Sequence, residues 1–114
     1  MAYQLEERTL LFSKNIIDLC KSLKNNTVNY KLIDQLVRSA TSVGSNYREA
    51  NETDTKKDFR NRVRIAKKEA KETIYWLTLI EHSNTERVDD ISPLISEANE
   101  LMKILASIYQ KCSC

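Results

Sequence analysis

The 114-residue chain contains one Gly and one Pro, is 41% hydrophobic and 30% charged, and has room for one domain over residues 1–114. So few turn-forming residues argue against all-β and Rossmann-type folds, and one glycine cannot build a phosphate-cradling loop. The net charge of +2 conceals an asymmetry: residues 56–72 carry eight Lys/Arg against three Asp/Glu, whereas residues 84–114 carry three against five.

Periodicity and punctuation predict four helices. The first spans about Tyr3 to Lys24, with Leu5, Thr9, Phe12, Ile16, Leu19 and Leu23 in alternating steps of four and three. Lys24-Asn25-Asn26-Thr27 breaks it.

The second spans about Asn29 to Glu52, with a stripe of Ile33, Val37, Ala40, Gly44 and Tyr47 flanked by Leu36 and Val43. A mid-helix glycine costs about 1 kcal/mol against alanine. Close approach of another backbone is the usual compensation, and the small neighbours Ser39, Ala40, Ser42 and Ser45 agree with that. The alternative is a tolerated defect with no packing role.

The third helix starts where Thr55-Lys56-Lys57-Asp58 resembles a capping box. Phe59, Val63, Ala66, Ala70, Thr73, Leu77 and Ile80 keep a heptad rhythm until His82-Ser83-Asn84-Thr85 ends it. The fourth is expected to open at Ser92-Pro93, an N-cap followed by proline, with Leu94, Ala98, Leu101, Leu105, Ile108 and Cys112 as its seam. Short connections make neighbouring helices antiparallel. The expected fold is all-α, an up-down-up-down four-helix bundle.

Several helices carry apolar residues away from these seams. Tyr3, Leu10 and Ile17 fall opposite Phe12; Ile65, Trp76 and Leu79 fall away from Phe59; Ile91, Ile95, Met102 and Tyr109 widen the arc of the fourth helix. Repeated second stripes predict a partner surface, and the expected interface residues are Tyr3, Leu10, Ile17, Ile65, Trp76 and Leu79. The alternative is burial within the monomer through unequal packing angles.

Cys20, Cys112 and Cys114 are odd in number, and the Cys112-Ser113-Cys114 tail cannot staple the fold. Cys112 and Cys114 offer a two-thiol metal site at most, without a fourfold zinc set around it, and no Glu-x-x-His pair is present for a carboxylate-bridged di-metal bundle, so no metal or cofactor is expected. Glu6, Glu7 and Arg8 interrupt any leader-like apolar run, and no apolar stretch approaches the roughly 20 residues needed to span a bilayer. Free thiols and a cytoplasmic location are expected. The lone His82, near a helix end, reads as a dipole-neutralising residue rather than a base, and no catalytic constellation accompanies it.

The basic segment is the informative feature. On a wheel of about 100° per residue, Lys57, Arg60, Arg64, Lys67, Lys68 and Lys71 share one flank of the third helix, while Glu69, Glu72 and Arg62 share the other. A one-sided basic stripe without base-reading groups is the footprint of phosphate-backbone binding. The alternative is a solvated face, or one paired with acids of a neighbouring helix.

The run Arg38-Ser39-Ala40-Thr41-Ser42-Val43-Gly44-Ser45-Asn46-Tyr47-Arg48-Glu49-Ala50 resembles the signature of the four-helix bundle proteins associated with 23S rRNA intervening sequences, often labelled S23 ribosomal proteins. Lys57-Asp58-Phe59, Ile65-Ala66-Lys67-Lys68-Glu69-Ala70 and Glu72-Thr73-Ile74-Tyr75-Trp76-Leu77 are similar to the rest of that pattern, so the resemblance covers nearly the whole chain. It implies an antiparallel four-helix bundle, a homopentamer and no catalytic residues. Asn46 and Glu49, as signature residues, are expected to be packing or interface polar groups. A related branch, the accessory variability proteins of diversity-generating retroelements, forms a basic pentameric barrel that binds nucleic acid and a reverse transcriptase. The resemblance therefore implies RNA, DNA, a ribonucleoprotein or a reverse-transcriptase-like protein as partners. The expected function is a non-catalytic oligomeric adaptor, and the alternative is a protein-interaction scaffold that binds no nucleic acid.

Overall fold

A computed structural model describes residues 2–112. Helix α1 (Ala2–Ser22) buries every residue of its expected seam within its span, and Leu23 just beyond it. Asn26 caps α2 (Thr27–Asn51), its side-chain oxygen accepting from the Asn29 N–H at 2.8 Å. Ala40, Gly44 and Tyr47 are buried as expected, but Ile33 and Val37 are half-buried. Leu36, Ser39 and Val43 take the centre because α2 packs against α1 on one side and α3 on the other.

Thr55 caps α3 (Lys56–Ser83), its Oγ1 accepting from the Asp58 N–H at 3.0 Å. Val63, Ala66, Ala70, Thr73, Leu77 and Ile80 are buried, and Phe59, in the first turn, is half-buried.

Helix α4 (Val88–Lys111) corrects the sequence reading of its start. It opens about one turn before Ser92, through a short 3₁₀ turn at Thr85–Arg87, and Pro93 lies inside it. Ser92 is not the cap: its Oγ donates to Glu81 Oε2 at 2.8 Å. Ile91 draws the earlier turn into the core, where it is fully buried, and Asp89 and Asp90 favour the N-terminal dipole. So close to the helix start, the proline removes a single backbone bond, and the carbonyl left free is that of the exposed Asp89. Ile91 therefore belongs to the core and not to a second stripe.

Each helix packs on its chain neighbours and α4 closes against α1; among the described residues the backbones of neither diagonal pair come close. This is the up-down-up-down bundle, 45 × 20 × 20 Å, and no strand occurs among the described residues. The α2–α3 seam is the most extensive and α1–α4 the slightest. Phe12, Ile16, Leu36, Val43, Val63, Leu77, Ile80, Ile91, Leu101 and Leu105 form the central core. No helix among the described residues is long and apolar enough to cross a membrane.

Polar contacts stitch one end. Asn29 and Asn84, both buried, exchange side-chain amide hydrogen bonds at 2.9 Å in each direction, and each also donates to a backbone carbonyl, of Lys24 and Ile80. Beside them Arg87 donates to the carbonyl and hydroxyl of Ser22. The α1–α2 loop is thereby tied to the α3–α4 junction, which leaves the long flanks of the bundle to carry surface chemistry.

Candidate nucleic-acid interface

The six bases of α3 lie on the flank that faces α4. Lys57, Arg64, Lys68 and Lys71 are exposed, whereas Arg60 and Lys67 are half-buried. The last two lean over the ring of Tyr109 on α4: Arg60 Cζ lies 3.8 Å and Lys67 Nζ 4.9 Å from its centroid. Among the described residues none of the six joins an ion pair.

Elsewhere the arginines are tied into the bundle. Arg8 grips Glu97 with two bonds of 2.7 Å, Arg48 reaches Glu6 at 3.8 Å, and Arg87 meets Asp90 at 2.9 Å. Arg38 of α2 spans Glu69 at 3.3 Å and Glu72 at 2.9 Å, and the bond to Glu72 holds its guanidinium above the ordinary arginine value. Arg62 donates to Asn46 Oδ1 at 3.1 Å. The acids in the middle of α3 are thus engaged by α2, on the opposite flank, and do not neutralise the stripe. This segregation is what six bases on one helix face need in order to present a positive surface.

Asn46 also donates to the Ser42 carbonyl at 2.8 Å, which makes it a polar packing group between α2 and α3. Glu49 is exposed.

Among the expected interface residues, Tyr3 is 73% exposed, Leu10 37% and Ile17 40%. Ile65 and Leu79 are half-buried. Trp76 packs against the core with its Nε1 buried and without an acceptor, and the exposed Tyr75 meets it edge-on at 5.2 Å. Ile95, Met102 and Tyr109 lie half-buried against the core. Sequence reasoning missed Leu11, Val28 and Tyr30, all exposed. Leu11 sits only about 100° from Phe12 on the wheel, so a seam-based reading gives no reason to separate it from the core; the slight α1–α4 seam leaves it open.

Among the described residues no three His, Cys, Asp or Glu side chains gather where a metal ion could be held. His82 is exposed in the last turn of α3, beside a surface depression lined by Thr78, Glu81, Thr85 and Val88. Cys20 is buried and Cys112 half-buried; Ser113 and Cys114 of the tail lie outside the described residues.

The profile of the family described as 23S rRNA-intervening sequence protein matches residues 3–107. The chain is also similar to a crystal structure from Bacteroides thetaiotaomicron VPI-5482, described as a protein with unknown function from the S23 ribosomal protein family. The two share 34% identity over 92% of this chain and 97% of that chain, with a TM-score of 0.84. No curated protein matches the chain.

Proposed function

The chain belongs to the 23S rRNA-intervening sequence protein family, and from that membership we propose that it is a non-catalytic, oligomeric adaptor that binds the phosphate backbone of RNA or DNA along α3. The observation that carries this reading is the unneutralised stripe: no acid of the bundle pairs with Lys57, Arg60, Arg64, Lys67, Lys68 or Lys71 among the described residues. Basic side chains held in a row on a rigid helix suit a regular array of phosphates. They carry no sequence information, so binding is largely sequence-blind. Tyr3, Leu10 and Ile17, exposed along α1, supply the self-association surface, and a closed ring would repeat the stripe around its axis and convert weak contacts into avidity.

A gel-shift series on RNA and DNA, at low and moderate salt, tests the reading. Retardation is expected at low salt, with a log–log salt slope near −0.9 for each duplex phosphate contacted. Arg64→Glu/Lys68→Glu/Lys71→Glu reverses three exposed side chains without touching the two that pack on Tyr109, so it removes binding while the helical content stays. Absence of retardation by the wild-type protein at low salt overturns the reading and leaves the protein-interaction scaffold in its place.

A further inference from the structure

A stripe that only neutralised phosphates would have no use for an aromatic ring at its centre. Tyr109 reaches that position from α4, and two cations of α3 converge on it, Arg60 at 3.8 Å and Lys67 at 4.9 Å. These residues stand seven apart, about 10 Å along the helix. No carboxylate orients Arg60 among the described residues, and its Nε–H is buried without an acceptor. A guanidinium is ordinarily aligned by an acidic fork. This one is aligned by a ring face, which leaves it half-buried with no acid competing for it.

An arginine lying on an aromatic ring, with cations on either side, fits one class of ligand. Unpaired bases stack on guanidinium and aromatic planes while their phosphates follow the surrounding charge. Lys57 lies about one turn before Arg60 and Arg64 about one turn after it, both exposed. A nucleotide stacked at Arg60 would thus have a cation for the phosphate on each side. A duplex can use the charges but not the plane, because its bases are stacked on one another inside the helix. Resting on the phosphate-binding reading above, we infer that the Arg60–Tyr109 pair is a base-stacking platform and that the preferred ligand is single-stranded nucleic acid. Any base offers a π face, so this preference is for unpaired strands and not for a sequence.

Fluorescence anisotropy with a labelled unstructured single-stranded RNA, and with a blunt RNA duplex of equal length at the same salt, tests it. The wild-type protein is expected to favour the single strand by on the order of tenfold, the scale of one stacked base. Arg60→Lys keeps the charge and loses the plane, and should bring the single-strand to duplex ratio close to one. Tyr109→Leu should do the same, while Tyr109→Phe, which retains the ring, should retain the preference. The two Tyr109 variants read the platform independently of Arg60, and circular dichroism on each variant confirms the helical fold. Equal wild-type affinity for the two ligands, or an unaltered ratio in both Arg60→Lys and Tyr109→Leu, overturns the platform and leaves the phosphate-binding reading standing. Failure of the wild-type protein to bind either ligand overturns both.

Discussion

Gly44 and Thr9 meet across the α1–α2 crossing so closely that a methyl group at position 44 would stand 3.0 Å from Thr9 Oγ1 and 3.2 Å from Thr9 Cβ. Thr9 is fully buried and its hydroxyl donates to the Glu6 carbonyl at 3.0 Å, so it has little freedom to retreat. Gly44→Leu should cost a few kcal/mol by over-packing, more than the roughly 1 kcal/mol gained in helix propensity. Gly44→Ala should change stability little, because that gain is offset by strain against Thr9. Combining Gly44→Ala with Thr9→Ala should reveal a coupling of about 0.5 kcal/mol or more. Urea denaturation of the four proteins in the cycle measures it, and a Gly44→Leu variant as stable as wild type would remove the close crossing.

The Asn29–Asn84 exchange should be among the most sensitive polar contacts in the bundle. Asn84→Ala removes both bonds between the two amides and leaves the Asn29 Oδ1 buried without its donor, at about 1–3 kcal/mol. The Asn29→Leu/Asn84→Leu pair should cost less than the sum of its single variants, because neither change then leaves the other amide unpaired. Additive losses in thermal melts would show that the two amides act separately.

Alkaline stability should depend on Cys20. Burial pushes its thiol up to about 11 from an ordinary 9.0. The unfolded chain ionises first as pH rises, so the thiol's contribution is complete below about pH 9 and is lost on the way to about pH 11. Burial also raises Tyr47, which acts in the same direction. Cys20→Ala should therefore flatten, without abolishing, the fall in urea midpoint across this range. An unaltered slope would mean that the thiol is not the group responsible.

Self-association should follow from α1. Light scattering at micromolar concentration should report a homo-oligomer, with a pentamer as the size the family resemblance implies. Leu10→Glu/Ile17→Glu should yield a monomer of unchanged helical content, since both side chains are exposed in the single chain. A monomer of wild-type protein across the concentration range would remove the oligomeric part of the proposed function.

The α1 seam from Leu5 to Leu23, the Thr55 cap, the heptad of α3 and the close crossing at Gly44 were all legible in the sequence. Each is a local or periodic property, written in the spacing of neighbouring residues or in the cost of a glycine within a helix. The segregation of charge on α3 was legible for the same reason. What the sequence could not determine is which partner each face meets. Proline after serine is a valid local start signal at Ser92, but burial of Ile91 outweighs it and α4 begins earlier. Asn84 reads as a helix stop, and only the return of the chain brings Asn29 to it. Arg60 and Lys67 belong to the same stripe as Arg64 and Lys68, yet the approach of α4 sets Tyr109 beneath the first two and leaves the others in solvent. Helix periodicity is fixed by backbone geometry that every residue shares, whereas these pairings join residues distant in the chain, and they exist only once four helices have packed around one core.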